Sequence, residues 1–105
     1  MRKLIIAAFM FISSFGSNVM ADGHAIKMGI ILGFTGPIES LTPAMAASAE
    51  LAFKEASDSG SLLGGKYIKP IRADSTCVDS AAATAAAEGI ISQGVTAIMG
   101  ADCSG

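Results

Sequence analysis

Short apolar runs alternate along the chain with longer stretches of helical periodicity. Residues 26–32 are nearly all apolar and are followed by Gly33, a pattern typical of a strand covered on both faces of a parallel sheet. Residues 67–74 and 95–99 predict a second and a third strand. Pro70 lies inside the second strand, and because proline has no N–H to donate, we expect that strand at a sheet edge.

Two helices are predicted between the strands. Thr42 and Pro43 offer an N-cap and a first-turn proline for the first helix, and Asp79 offers an N-cap for the second. Glu50 and Lys54 are four residues apart and are expected to pair on the solvent side of the first helix. The side chains expected to face the sheet are Met45, Ala49, Ala52, Phe53 and Ala56 in the first helix and Ala83, Ala87, Ile90 and Ile91 in the second.

The element order therefore predicts an α/β fold with a parallel sheet. Right-handed crossovers and an edge position for the second strand give the strand order 2-1-3. The third strand then has an uncovered edge, which natural proteins avoid. We interpret the sequence as the first part of a longer chain.

The first 21 residues have the features of a cleaved signal peptide. Arg2 and Lys3 precede an apolar run over residues 4–12, and residues 19–21 are small or apolar where a signal peptidase would cut. Cleavage after Ala25 would serve almost as well. A membrane anchor is the alternative, but the apolar run is shorter than the roughly 20 residues that span a bilayer. We therefore expect a periplasmic protein that is not embedded in the membrane, with residues 22–105 as its mature part.

The charge and motif content exclude several functional classes. Residues 22–105 carry five basic and nine acidic side chains, a formal net charge of about −4 by simple counting. An acidic chain gives no reason to propose nucleic acid or an anionic membrane as a partner. No catalytic triad, phosphate-binding glycine loop or cluster of metal ligands is visible, so we expect neither an enzyme nor a cofactor.

Cys77 and Cys103 follow the second and third predicted strands, so both lie at the carboxyl end of the sheet. In an exported chain, a disulfide across the end of the first strand is the main hypothesis. A metal site is a weaker alternative because His24 is the only histidine, and redox pairs more typically form a Cys-x-x-Cys motif.

Polar residues follow the strands at the same edge. Ser104 and Gly105 lie where a third helix is expected to begin. Backbone N–H groups and the serine hydroxyl at that place would suit the carboxylate of a ligand. The alternative is that Ser104 serves only as the N-cap of the helix. Thr35, Glu39 and Ser40 follow the first strand and either face a ligand or serve as ordinary loop residues.

These segments together resemble the start of the periplasmic leucine/isoleucine/valine-binding proteins. The resemblance covers the mature chain and is carried by residues 26–30, 35–37, 64–66, 74–77 and 99–105. It implies a partial three-layer lobe of a type I periplasmic binding fold, in which two lobes close on an amino acid and deliver it to an ABC permease. It also implies that Cys77 and Cys103 are bonded and that Ser104 helps to hold the ligand carboxylate.

Two residues depart from the family pattern. Leu41 stands where the branched-chain amino-acid binders tend to carry an aromatic residue, and relatives of this architecture bind amides or urea. Asp102 is unusual before the second cysteine and, if it faced the cleft, would repel a carboxylate or favour an amine. The same fold also serves as the sensing domain of receptors, which is the second functional hypothesis.

Overall fold

The computed structural model describes Gly23 and residues 25–104. The elements follow one another in the predicted order and are β1 (Ala25–Leu32), α1 (Thr42–Asp58), a 3-10 turn (Leu62–Gly64), β2 (Tyr67–Asp74), α2 (Ser80–Ser92) and β3 (Ala97–Met99). The predicted signal peptide, residues 1–21, lies outside the described residues, and its cleavage stays a prediction. No helix in the described part has the length and apolar character needed to cross a bilayer.

The three strands form one parallel sheet in the order β2-β1-β3, which confirms the predicted fold class and strand order. β2 pairs with β1 over its whole length, from Ala25 opposite Tyr67 to Leu32 opposite Asp74. β3 is shorter than predicted and pairs only with the middle of β1, where Met28 lies opposite Ala97 and Ile30 opposite Met99. Pro70 lies in an edge strand, as its missing N–H requires.

The core lies on both faces of β1. Ile30 and Leu32 are buried on one face against Ala46 of α1. On the other face a β-carbon added at Gly29 would meet Ile90 of α2 at 2.5 Å, so the glycine allows α2 to lie close against the sheet. Because alternate residues of a strand face opposite sides, β1 is covered by one helix on each side, as its apolar sequence predicts.

The predicted start of α1 is wrong in one respect. Thr42 is the first helical residue, Leu41 holds the N-cap position, and no side chain caps the helix. The buried Thr42 hydroxyl instead donates a 3.1 Å hydrogen bond to the Gly33 carbonyl oxygen at the end of β1. This contact turns the helix so that Ala46 is buried, whereas Met45 is 43% exposed and Ala52 is also exposed, contrary to the prediction.

α2 follows its prediction more closely. The Asp79 carboxylate accepts hydrogen bonds from the Ala81 and Ala82 N–H groups at 2.9 and 3.1 Å, which confirms the N-cap. Ile90 is buried, but Ile91 is 59% exposed, because one helical residue further rotates the side chain by about 100° away from the sheet.

The predicted pairing of Glu50 with Lys54 is also wrong. Arg72 of β2 donates two hydrogen bonds to the Glu50 carboxylate, from Nε at 2.6 Å and from an Nη at 2.7 Å, and Lys54 pairs with Asp58. The planar guanidinium fits a carboxylate with two parallel bonds, so it displaces the lysine from the neighbouring helical turn. The hydrogen bond lowers the pKa of Glu50 and raises the pKa of Arg72.

Candidate functional site

Three loops leave the carboxyl ends of the strands at the same edge of the sheet. They are residues 33–41 after β1, residues 75–79 after β2 and residues 100–104 after β3. We call these loops the rim. In open α/β sheets ligands bind beyond the carboxyl ends of parallel strands, so the rim is the candidate site.

Asp74, the last residue of β2, joins the first two loops of the rim. Its carboxylate accepts hydrogen bonds from the Thr35 hydroxyl at 2.6 Å, the Thr35 N–H at 3.2 Å and the Thr76 N–H at 2.8 Å. The Thr35 hydroxyl is the main reason why the pKa of Asp74 lies below its usual range, with the backbone donors adding to it and burial opposing it. Thr35 thus holds the loop after β1 against the end of β2, and its contact with a ligand stays a prediction.

Asp102 joins the third loop to the end of β1. Its two carboxylate oxygens lie 3.2 and 3.1 Å from the Gly33 backbone nitrogen, which donates to them. The structure thus places this carboxylate against the backbone at the end of β1. The side chain is partly buried in this contact.

Cys77 and Cys103 form a disulfide bond, with their Cα atoms 5.2 Å apart. The bond joins the loops that follow the two strands on either side of β1, which confirms the main hypothesis for these cysteines. Thr76 and Cys77 have φ angles of 58° and 72°, in the left-handed region that side-chain-bearing residues rarely adopt. The turn after β2 thus brings Cys77 to the end of β1, and no local sequence signal predicts this backbone conformation.

Gly100 is where the chain leaves the sheet after β3. Its φ angle is +121°, and a β-carbon added there would lie 1.9 Å from the Ile31 carbonyl oxygen. Only glycine fits this close approach of two backbones, so residue 100 determines the course of the loop that carries Asp102, Cys103 and Ser104.

The predicted ligand-binding residues occupy two of the three loops. Glu39 and Ser40 are exposed in the loop after β1, and Ser104 is exposed directly after the bonded Cys103. Residues 100–104 are irregular, and Gly105 lies outside the described residues. The predicted third helix and its anion site at Ser104 and Gly105 therefore stay predictions, as do the ligand contacts of Glu39 and Ser40.

The burial of two hydroxyl groups of the rim was not predicted from the sequence. Ser75 is 2% exposed, and its Oγ and the Oγ1 of Thr76 are buried without a hydrogen-bond partner in the described part of the chain. Their burial results from the tight turn after β2, which brings the Ser75 N–H to the Leu32 carbonyl oxygen at 2.9 Å.

The charges of the rim have one sign. Its loops and their flanking strand ends carry Glu39, Asp74, Asp79 and Asp102, while no lysine or arginine occurs in residues 33–41, 75–79 or 100–104. Among the described residues no group of histidine, cysteine, aspartate and glutamate side chains is arranged to hold a metal ion. Asp74, Asp79 and Asp102 instead accept hydrogen bonds from backbone N–H groups.

Comparison with known proteins identifies the family. A family profile described as periplasmic binding protein matches residues 25–105, which extend from β1 through the rim. No curated protein sequence gives a significant match to the chain. The parallel sheet in the order β2-β1-β3, with a helix on each face, agrees with part of one lobe of such a protein. Proteins of this family bind small molecules, are generally not enzymes and are typically periplasmic. On this evidence the chain belongs to the periplasmic binding protein family.

Proposed function

We propose that the chain is the substrate-binding component of an ABC importer for branched-chain or related amino acids. The observation that carries the proposal is the exposed Ser104 beside the Cys77–Cys103 disulfide. The bond ties this serine to the rim, where ligands of parallel α/β sheets bind. Membership of the periplasmic binding protein family supports a small-molecule ligand and a transporter permease as partner.

The proposed site recognises the two charged ends of an amino acid. The ligand carboxylate accepts hydrogen bonds from the Ser104 hydroxyl and from the backbone N–H of Gly105, at the start of the expected third helix. Glu39 and Ser40 approach the ligand from the loop after β1, where the Glu39 carboxylate attracts an ammonium group. The Asp102 carboxylate accepts from the Gly33 N–H, so its hydrogen bond is made to the end of β1.

A ligand panel tests this function in the full-length protein. Leucine, isoleucine and valine are compared with small amides and urea by the shift that each gives in the melting temperature. A ligand at about 100 times its Kd stabilises the folded state by about 2.7 kcal/mol, which a thermal melt readily detects. The absence of a shift across the whole panel would contradict the proposal.

Leu41 is the reason for including amides and urea in the panel. Its side chain is 60% exposed on the rim, at the position where the family resemblance leads us to expect an aromatic residue. Stabilisation by amides or urea but not by leucine, isoleucine or valine would identify the alternative ligand class with the same site.

The serine itself is tested by Ser104→Ala. Because a hydrogen bond to a charged group contributes about 1.5–3 kcal/mol, we expect the Kd of the best ligand to rise at least about tenfold. Ser92→Ala is the matched control, since Ser92 is an exposed serine at the end of α2 that donates to the Gly89 carbonyl oxygen. Equal affinities of the Ser104→Ala and wild-type proteins, measured by calorimetry, would remove Ser104 from the site.

Export completes the proposal. We infer that residues 1–21 are removed as a signal peptide and that the mature protein acts in the periplasm, with residues 22–105 as the N-terminal part of its first lobe. The intact mass of the exported protein, measured with and without reduction, tests the cleavage site after Ala21 against the alternative after Ala25. Retention of the first 21 residues would contradict export through a cleaved signal.

A further inference from the structure

Gly33 directly follows β1, beyond the last residue pair that joins β1 with β3. The chain after β1 and the chain after β3 still run side by side at this point. β3 pairs with β1 only at Met28, Gly29 and Ile30, where the last pair joins Ile30 with Met99. Continued at the same register, residue 102 would fall opposite Gly33. The Gly33 N–H therefore points to the place where a longer third strand would offer a carbonyl acceptor.

Asp102 supplies that acceptor from its side chain. The Gly33 nitrogen lies 3.2 and 3.1 Å from the two carboxylate oxygens, so the N–H is shared between them. A hydrogen bond to an ionised acceptor is stronger than one between neutral groups. As a result, residues 100–104 leave the sheet at Gly100 and yet remain attached to the end of β1.

The segment is held at two consecutive residues. Asp102 attaches it to β1, and Cys103 attaches it to the loop after β2 through the disulfide. A single covalent link fixes one point but leaves rotation about its single bonds, whereas a second attachment at the neighbouring residue fixes a direction. Ser104 is the next residue along this direction.

We propose that Asp102 is a positioning residue for the Ser104 ligand site, and that its contact with Gly33 orients the segment that presents the Ser104 hydroxyl. The ligand-binding part of this inference rests on the proposed function. The part that concerns how Asp102 holds residues 100–104 does not depend on the proposed function, so it is measured in the absence of ligand.

The first experiment follows single amides by NMR in the ligand-free, full-length protein. In Asp102→Ala we expect hydrogen exchange at Gly33 to accelerate at least about tenfold, because the acceptor is lost. We also expect the Ser104 backbone order parameter to fall from a rigid value near 0.85 to below about 0.6. Asp102→Asn keeps an acceptor oxygen and should restore both values most of the way.

Asp58→Ala is the control, because Asp58 lies at the end of α1, outside the rim, where its carboxylate pairs with Lys54. It should leave Gly33 exchange and the Ser104 order parameter within the error of wild type. An unchanged Ser104 order parameter in Asp102→Ala, or an equal fall in Asp58→Ala, would overturn the proposal. If Asp102→Ala does not fold, Asp102→Glu, which moves the carboxylate by one methylene, takes its place with the same expected direction.

The second experiment measures the Kd of whichever panel compound stabilises the wild-type protein. We expect Asp102→Ala to raise this Kd about tenfold, Asp102→Asn to stay within about threefold and Asp58→Ala within about twofold, at a temperature where all variants are folded. An unchanged Kd in Asp102→Ala would overturn the role in binding. If no panel compound binds the wild type, the proposed function fails, and the two NMR values still decide whether Asp102 holds the segment.

Discussion

Two aspartates of the rim and its flanking strand ends accept hydrogen bonds from backbone N–H groups. Asp74 accepts from Thr35 and Thr76, and Asp102 accepts from Gly33. A carboxylate on a short side chain suits the carboxyl end of a parallel strand, where the ladder ends and N–H groups lose their partners. The charges of these aspartates thus contribute to the order of the rim before any ligand is considered.

Thr35→Val should raise the pKa of Asp74 towards its ordinary value of 3.8, because the hydroxyl is the main cause of the lowered pKa. A carboxyl group whose pKa is lowered in the folded state stabilises the protein at pH values above its ordinary pKa. This stabilisation is lost as the pH falls through the lowered pKa. The variant should therefore be less stable at pH 7 and lose less of its stability on acidification. NMR titration of the Asp74 carboxyl measures the shift.

Thr35→Ser is the control for this experiment, since it keeps the hydroxyl and removes only a methyl group. Its Asp74 pKa should stay near that of the wild type. An equal pKa in the valine and wild-type proteins would show that the backbone donors, not the hydroxyl, set the acidity of Asp74.

Gly100→Ala should destabilise the protein more than Gly94→Ala does. Both glycines have positive φ angles, which cost a residue with a β-carbon about 1–2 kcal/mol. Only at Gly100 would the new β-carbon also collide with a backbone carbonyl oxygen, that of Ile31, whereas it meets no atom within 4 Å at Gly94. Urea unfolding of both variants gives the two losses, and equal losses would contradict the close approach.

At the scale of elements, the sequence predicts which segments are helices and strands better than it predicts which of their faces are buried. α1 carries alanine on every side, so helical periodicity alone does not define its buried face. The Thr42 hydroxyl, which donates to Gly33, sets the rotation of the helix, and this contact joins two elements. The partner of Glu50 was mispredicted for the same reason, because Arg72 comes from β2 and not from the helix itself.

Arg72→Lys should weaken the contact between α1 and β2. Lysine keeps the charge but cannot form two parallel hydrogen bonds with Glu50, and it loses the stacking of the guanidinium carbon 5.6 Å from the centre of the Phe34 ring. Since the pair is partly exposed, we expect a loss of about 0.5–1 kcal/mol, smaller at high salt.

Lys54→Gln is the control for this substitution, because the pair of Lys54 with Asp58 is more exposed and stays within one helix. Its effect on the urea midpoint should be smaller than that of Arg72→Lys. A larger effect of Lys54→Gln would mean that the contact between the two elements contributes little.

At the scale of the whole molecule, the strand order was predictable because two simple constraints act together. Pro70 restricts β2 to an edge, and right-handed crossovers then place β1 in the centre. The pairing of the cysteines was predictable from that topology, since both cysteines lie in loops of the rim. The contacts of Asp74 and Asp102 did not follow, because they depend on the turns after β2 and β3, where Thr76, Cys77 and Gly100 adopt positive φ angles.

Replacement of both cysteines by serine should lower the free energy of unfolding by about 3 to 4 kcal/mol. The estimate follows from the loop entropy that a bond with a sequence separation of 26 removes from the unfolded chain. Denaturant melts of the double variant and the oxidised wild type measure the difference. The reduced wild-type protein should resemble the double variant, and a loss below about 1 kcal/mol in both would contradict this role of the bond.

The central position of β1 also determines when the sheet can be completed. Protein synthesis makes β1 first, but its Ala25 pairs with Tyr67 and its Met28 with Ala97, which are made later. While the chain is being made, β1 is thus an apolar segment with both edges open, and its second edge stays open until β3 exists. The first strand to be made is therefore completed only after residue 99 exists, and until then residues 25–32 keep apolar surface and open edges exposed.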